Sequence, residues 1–221
     1  MGSVLSVNAG EVCAVPWGDL KRSAIDKRPV EGAVRVGKLG LVVDKQADLR
    51  HHGGLEQAVY AYAREDLDWW AGHLGRALRN GQFGENLTTV GVDVNKAVIG
   101  ERWRIGSVLL ELNAPRIPCS VFAGFIDEDK WVTRFTARGR VGAYFRVIEE
   151  GELRAGDRIE VEQRPDHGVR LEHVFRGLTG HREYLPSLLI APQVQDKVRA
   201  YALRILSNPD ECDSEAVEDT P

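Results

Sequence analysis

Short apolar segments that end near glycine recur along residues 1–163 and limit the fold more than any other feature. Residues 33–36 alternate in polarity before a glycine, and the runs 103–105 and 108–112 flank Gly106-Ser107, which predicts a hairpin. Many short strands at such close spacing are typical of a curved, mainly β domain, either a barrel or a folded sheet. The predicted strands are 4–7, 33–36, 41–43, 58–62, 87–90, 103–105, 108–112, 142–148 and 159–161.

Helical periodicity is confined to a few segments and dominates near the C-terminal end. Residues 64–78 carry apolar side chains along one helical face, and residues 120–136 also look helical. Helical spacing returns at Leu171, Val174 and Leu178, and again at Val194, Val198, Tyr201 and Ile205. We therefore predict an α+β protein with three parts: a mainly β domain of residues 1–163, either a barrel or a folded sheet, a small helical domain of residues 164–206, and a disordered acidic tail of residues 207–221.

The charge is unevenly distributed along the 221 residues. The formal net charge is −4, and the tail from residue 207 alone carries six acidic residues and no Lys or Arg, so residues 1–206 carry about +2. This balance does not indicate nucleic-acid binding. No apolar run approaches the roughly 20 residues that span a bilayer, and no basic leader precedes the first strand. We expect a soluble cytoplasmic protein with no membrane partner.

Residues 44–54 form the first segment whose residue types could bind a ligand or take part in catalysis. They place Asp44, a second aspartate, two histidines including His52, and the pair Gly53-Gly54 within eleven positions. Histidine binds metals or transfers protons, and glycine lets backbone N–H groups approach a ligand closely. The same composition fits an ordinary polar loop equally well.

Residues 81–89 form the second segment. The amide of Asn86 offers both a donor and an acceptor to a heterocycle, and Thr88 adds a hydroxyl. A strand that begins after a turn is the more common reason for such a pattern when it is viewed alone.

Residues 114–120 form the third segment, with the order Ala-Pro-Arg-Ile-Pro-Cys-Ser. The two prolines restrict the backbone and hold Arg116 and Cys119 in a defined relation. A thiolate is a nucleophile and a soft metal ligand, and a nearby guanidinium favours its formation. A lone cysteine is more often structural, but this frame favours a functional one. Bases scattered elsewhere in the sequence, including Arg22 and Lys27, could bind an anion.

The order of these segments resembles the MOSC domain (molybdenum cofactor sulfurase C-terminal domain). The residues that carry the likeness are His52-Gly53-Gly54, then residues 83–88 (Phe-Gly-Glu-Asn-Leu-Thr), then residues 115–119 (Pro-Arg-Ile-Pro-Cys). The likeness is greater to the bacterial YiiM-type members, in which a MOSC β-barrel precedes a short three-helix domain. It extends from residue 3 to about residue 206.

The resemblance implies a pterin-based molybdenum cofactor and a role for each matching position. Cys119 would be the metal ligand and a catalytic group, with His52 and Asp44 as further catalytic candidates. The remaining cofactor-binding candidates are Arg22, Ser23, Lys27, His52, Gly53, Asn86, Thr88 and Arg116.

The resemblance also implies an activity, namely the reduction of N-hydroxylated compounds such as hydroxylaminopurine-type base analogues to amines. The sequence has no flavin or iron–sulfur motif, so electrons would come from a separate flavin or iron–sulfur reductase. The alternative is a sulfur carrier or a cofactor-binding module without turnover. A DNA-binding role for the helices is weakly supported, because their charges are mixed and the tail is acidic. We expect the helices to cover a barrel edge or to support a homodimer.

Overall fold

The computed structural model describes residues 2–47 and 53–208. The strands within these ranges are β1 (Ser3–Ala9), β2 (Cys13–Ala14), β3 (Arg22–Ser23), β4 (Arg28–Pro29), β5 (Val34–Gly37), β6 (Gly40–Leu41), β7 (Val59–Ala63), β8 (Leu87–Val90), β9 (Arg102–Ile105), β10 (Val108–Pro115), β11 (Ala143–Glu149), β12 (Gly151–Leu153) and β13 (Ile159–Gln163). The helices are α1 (Arg64–Leu74), α2 (Ser120–Ile126), α3 (Trp131–Arg138), α4 (Leu171–Leu178), α5 (Leu185–Leu188) and α6 (Asp196–Ser207).

Eight strands form one large sheet in the order β13-β9-β10-β11-β7-β8-β1-β4. Neighbours are antiparallel except β7 and β8, which run parallel. The sheet closes because the N–H of Val4 donates to the carbonyl of Asp157 and the N–H of Ile159 donates to Gly2, each at 2.9 Å. Closure pairs backbone groups that an open edge would expose. The predicted α+β class with a mainly antiparallel sheet is confirmed.

The barrel interior follows the two-residue alternation of its strands. In β11, Ala143, Phe145 and Val147 are buried while their neighbours are partly exposed. Phe145 packs against Trp103 of β9 with ring centroids 4.9 Å apart. The inward side chains therefore fill the barrel with a packed apolar core.

A second core of aromatic rings lies outside the barrel, among α1, α2, α3 and the loop before β8. Its main members are Trp70, Phe83, Phe122, Trp131 and Phe135, and the centroids of Trp70 and Trp131 are 4.6 Å apart. Phe83 and Phe122 contact edge to face at 5.3 Å. Because Phe83 and Phe122 lie near Asn86 and Cys119 in the chain, this core fixes the two polar segments relative to each other.

Two predicted helices differ in extent from those observed, for a backbone reason. The helix predicted over 64–78 ends at Leu74, because Gly75 adopts φ +63° and caps it in the left-handed region. The helix predicted over 120–136 is divided into α2 and α3, because Asp127 and Lys130 both adopt positive φ. Left-handed residues other than glycine are uncommon, so the apolar pattern alone could not locate this break.

Three helices follow β13, and their apolar faces belong to the barrel core. Leu171, Val174 and Leu178 of α4 lie in the same buried cluster as the inward side chains of the strands. The division into two domains at residues 163 and 164 stays a prediction. Residues 209–221 of the predicted tail lie outside the described residues. No helix among the described residues is long and apolar enough to cross a membrane.

Candidate functional site

A cavity of about 370 Å³ opens where the loops at one end of the barrel meet the C-terminal helices. This volume is in the range of cofactor and small-molecule sites. The described side chains that line it include two acidic residues, Asp19 and Asp44, and more basic than acidic groups. The basic residues are Arg22, Lys27, Lys45, Arg116 and Lys197. The excess of positive charge favours an anionic ligand.

Lys27 and Asp44 form a buried ion pair at this cavity. The Nζ of Lys27 donates to both carboxylate oxygens, at 2.5 and 2.6 Å, and only 6% of the Asp44 side chain is exposed. Asp44 also accepts from the N–H of Gly10 at 2.8 Å and from Nδ2 of Asn86 at 2.9 Å. Burial lowers the pKa of Lys27, and the carboxylate of Asp44 opposes that shift.

Asn86 is held in a fixed orientation beside this ion pair. Its Oδ1 accepts from the N–H of Tyr60 at 3.1 Å, and its Nδ2 donates to Asp44. The loop before it is shaped by Glu85, whose buried carboxylate accepts from the N–H groups of Gly81 and Phe83 at 2.5 and 3.0 Å. Burial raises the pKa of Glu85, and these hydrogen bonds act in the opposite direction.

Thr88 does not line the cavity. Its hydroxyl donates to Glu85 at 2.8 Å and accepts from Nδ2 of Asn8 at 3.0 Å, inside the barrel. Thr88 therefore supports the loop that carries Asn86. Its predicted role in binding a cofactor would be indirect, through the position of that loop.

Arg116 is buried and has no carboxylate partner among the described residues. Its Nη1 donates to the carbonyl of Phe83 at 2.6 Å, and its guanidinium lies 4.3 Å from the ring centroid of Phe122 and 4.9 Å from that of Tyr60. The Nε of Arg116 is buried without a hydrogen-bond partner. Arg116 thus brings a permanent positive charge and an unused donor to the cavity.

Cys119 lies at the same cavity, half-buried, immediately before α2. Its carbonyl accepts from the N–H of Ala123 at 3.0 Å, so the start of the helix fixes its backbone. Tyr144 is a neighbour: burial raises the pKa of Tyr144, Arg116 opposes that shift, and Cys119 adds to it.

The remaining candidates fall in three places. Arg22 and Ser23 line the cavity, and Oγ of Ser23 accepts from the N–H of Ile25 at 3.1 Å. Gly53 also lines it, at φ +131°, where a Cβ would collide with the side chain of Gln46. His52 lies outside the described residues. The structure therefore brings together Arg22, Ser23, Lys27, Asp44, Gly53, Asn86, Arg116 and Cys119.

Several lining residues were not foreseen from the sequence. Tyr60 and Tyr144 pair across β7 and β11, with ring centroids 5.1 Å apart, and a correct strand register would have found them. Gln57, Gln195 and Lys197 line both this cavity and a neighbouring one of about 470 Å³. No local sequence signal marks Gln195 or Lys197, since their place depends on how the C-terminal helices pack.

Comparisons with known proteins show the family of this chain and agree with its fold. The MOSC domain model matches residues 48–160, about half of the chain, and the chain belongs to the MOSC domain family. The protein YflK of Bacillus subtilis (strain 168) is 34% identical over 175 residues, which are 79% of each chain. YiiM of Escherichia coli (strain K12) is 32% identical over 163 residues, 72% of each chain.

Two further similarities extend this comparison. A protein of Gibberella moniliformis (strain M3125 / FGSC 7600) named "Reductase" is 32% identical over 168 residues, which are 74% of this chain and 30% of that protein. The crystal structure of YiiM from Geobacillus stearothermophilus superimposes with a TM-score of 0.78 at 24% identity, covering 93% of this chain and all of that one. At this identity the superposition shows a shared fold.

Proposed function

We propose that this protein is a molybdenum-cofactor oxidoreductase that reduces N-hydroxylated compounds to amines with electrons from a separate reductase. The observation that carries the proposal is the convergence of a half-buried thiol, Cys119, with the buried cations Arg116 and Lys27 at one cavity. The oxidoreductase class is also supported by the fungal relative that is named a reductase.

The lining residues fit such a cofactor. A thiolate sulfur is a soft ligand that suits a soft metal centre, and arginine and lysine bind phosphate oxygens through charge-assisted hydrogen bonds. The buried Nε of Arg116 has no partner among residues 2–47 and 53–208, so its N–H is available to an anionic ligand. The positive lining would stabilise the phosphate of a pterin cofactor.

Each residue has a distinct proposed role. Cys119 would ligate the metal, and Arg22, Ser23, Lys27 and Arg116 would hold the phosphate end of the cofactor. Gly53 and Asn86 would contact the pterin. Asn86 meets the ligand already oriented, because both ends of its amide are hydrogen-bonded within the protein.

Asp44 has a positioning role in this proposal. Both of its carboxylate oxygens accept from Lys27, and one also accepts from Asn86, so Asp44 would hold these two side chains at the cavity. The catalytic roles predicted for Asp44 and His52 stay predictions.

The bound cofactor would supply two-electron redox chemistry at a metal. In the overall reaction two electrons and two protons enter, the N–O bond of the substrate breaks, one proton goes to nitrogen, and the other goes to the oxygen, which leaves as water. The protein's own residues would orient the substrate and exclude bulk solvent in the cavity.

Turnover by the cofactor-loaded protein tests the proposal. We expect the wild type, produced in a host that makes the cofactor, to reduce a hydroxylaminopurine with reduced methyl viologen as electron source. The variant Arg116→Ala is expected to retain less than about one fifth of the wild-type molybdenum, because a charge-assisted hydrogen bond to phosphate contributes roughly 1.5–3 kcal/mol. Arg134→Ala, which changes an exposed arginine outside the cavity, is the control.

Three outcomes would contradict parts of this proposal. Molybdenum-loaded wild type that reduces no N-hydroxylated substrate would favour a cofactor-binding module without turnover. Unchanged molybdenum in Arg116→Ala would limit that residue to a structural role. Turnover by the purified chain with NADH alone would contradict the separate electron donor.

A further inference from the structure

Two glutamine side chains at the boundary between the two cavities carry polar atoms that have no hydrogen-bond partner in the part of the chain that the structure describes. Only 9% of Gln195 is exposed, and its Nε2 is buried and unpaired, while Gln57 has a buried and unpaired Oε1. Both residues line the cavity of about 370 Å³ and the neighbouring cavity of about 470 Å³. We refer to Gln57 and Gln195 as the amide pair.

The backbone of each glutamine is fixed by hydrogen bonds. The carbonyl of Gln195 accepts from the N–H groups of Val198 and Arg199, each at 3.0 Å, at the start of α6. Gln57 ends a short 3-10 helix, in which its N–H donates to Gly54 at 3.3 Å. Buried polar atoms are rarely left unpaired, because each has given up its hydrogen bonds to water. Two unpaired buried atoms at the same boundary indicate that a ligand supplies the missing hydrogen-bond partners.

The amide pair extends from the cavity of the proposed cofactor-binding residues into the second cavity. Arg22, Ser23, Lys27, Asn86, Arg116 and Cys119 line only the smaller cavity, while Gly53 and the amide pair line both. The larger cavity is lined by neither Cys119 nor Arg116. The amide pair therefore lies where the cofactor cavity meets a second space, which is the place a substrate would occupy beside the cofactor.

We propose that the amide pair is the recognition edge for the substrate and binds an amidine-like group, in which one carbon atom carries both an amino nitrogen and an imine or ring nitrogen. Oε1 of Gln57 accepts from the amino N–H, and Nε2 of Gln195 donates to the neighbouring nitrogen. N-hydroxylated amidines and amino-heterocycles present this donor and acceptor together. The inference rests on the proposed function, since it names the residues that select its substrates.

Binding of an unreactive probe tests the pairing without turnover. The probes are adenine, which carries the amino group beside a ring nitrogen, and purine, which lacks the amino group. We expect the molybdenum-loaded wild type to bind adenine about tenfold more tightly than purine in calorimetry, because a site with buried polar groups discriminates against a ligand that leaves them unpaired. Gln57→Leu and Gln195→Leu are expected to lose this preference.

Two further variants guard the interpretation. Gln195→Glu keeps the shape of the side chain, replaces the donor by an acceptor, and should lose the preference in the same way. Gln163→Leu makes the same change at an exposed position of β13 and should bind both probes like the wild type. Molybdenum and pterin contents are measured on every sample and are expected to match the wild type.

Each contrary result has a separate meaning. An equal affinity of the wild type for adenine and purine, or an unchanged preference in the glutamine variants, would overturn the proposal. Loss of pterin from Gln57→Leu or Gln195→Leu would overturn it in favour of contacts with the cofactor's own ring. A wild type that prefers adenine but reduces no hydroxylaminopurine would contradict the proposed function and support the recognition edge.

Discussion

The barrel side of the cavity and the amide pair differ in how their polar atoms are used. On the barrel side, Lys27, Asp44 and Asn86 form a continuous network of hydrogen bonds between 2.5 and 3.1 Å. In the amide pair, Gln57 and Gln195 each keep a buried atom without a hydrogen-bond partner among the described residues. The network of Lys27, Asp44 and Asn86 is organised before any ligand binds, whereas the unpaired atoms of the amide pair gain hydrogen bonds only from a ligand.

Under the proposed function, this difference separates the residues that hold the cofactor from those that bind the substrate. A tightly bound cofactor stays the same from turnover to turnover, so residues that are fixed in advance reduce the cost of holding it. A substrate enters and leaves, and unpaired amides gain hydrogen bonds only while it is present. Stability should therefore depend on the barrel side, and substrate selection on the amide pair.

The largest expected effect is on the barrel side. Asp44→Ala leaves the ammonium group of Lys27 buried without its partner, and we expect a loss of about 3–5 kcal/mol in the free energy of unfolding. The control is Asp68→Ala, since the exposed carboxylate of Asp68 pairs with Arg64 one turn earlier on α1 and should contribute no more than about 1 kcal/mol. Urea denaturation of both variants measures the difference. A loss below about 1 kcal/mol for Asp44→Ala would mean that the stability of the fold does not depend on this network.

The amide pair should respond with the opposite sign. Gln195→Leu replaces an unpaired buried amide by an apolar side chain of similar size, and we expect the free energy of unfolding to rise by about 1 kcal/mol. Gln163→Leu, at an exposed position, should change it by less than about 0.5 kcal/mol. Thermal and urea denaturation measure both variants. Destabilisation of Gln195→Leu by more than about 1 kcal/mol would show that the amide is bonded within the protein.

The smallest expected effect is a pH dependence that arises from Glu85. Burial raises the pKa of Glu85 above its ordinary value of 4.5, so the folded protein holds this proton more tightly than the unfolded chain does. The contribution of Glu85 to the free energy of unfolding should therefore fall as the pH rises above about 4.5 through the raised value.

Glu85→Gln isolates this contribution, because glutamine does not titrate. Wild type minus variant, the difference in the free energy of unfolding should decrease between about pH 4.5 and pH 7. Urea denaturation over that pH range measures the difference. An increase over the same range would mean that the hydrogen bonds from Gly81, Phe83 and Thr88 outweigh burial.

The fold was largely predictable because its signals are local. Residues 87–90 were predicted as a strand and form β8, and the hairpin around Gly106-Ser107 joins β9 to β10. The break between α2 and α3 was not predicted, since Asp127 and Lys130 adopt left-handed conformations that their residue types do not require. The local patterns left barrel closure open, because closure joins residues 2–4 to residues 157–159, and the barrel was expected only from the family resemblance.

The candidate site was predictable only in part, for the same reason. Cys119 and Arg116 were identified because two prolines and a cysteine stand together in the sequence. Thr88 was identified from residues 81–89, yet its hydroxyl donates to Glu85 and accepts from Asn8 and does not line the cavity. Gln195 carries no local sequence signal. Its proposed role rests on a buried Nε2 that has no hydrogen-bond partner among the described residues, and the sequence does not reveal this.

The most direct test of the proposed cofactor site is the metal and pterin content of three proteins made in a host that synthesises the molybdenum cofactor. The proteins are the wild type, Cys119→Ser and Cys13→Ser, the last being a matched change at an exposed cysteine. We expect near-stoichiometric molybdenum in the wild type and in Cys13→Ser, and a loss of more than about tenfold in Cys119→Ser with the fold intact. Equal molybdenum in all three proteins, or none in any of them, would contradict the assignment of Cys119 as the metal ligand.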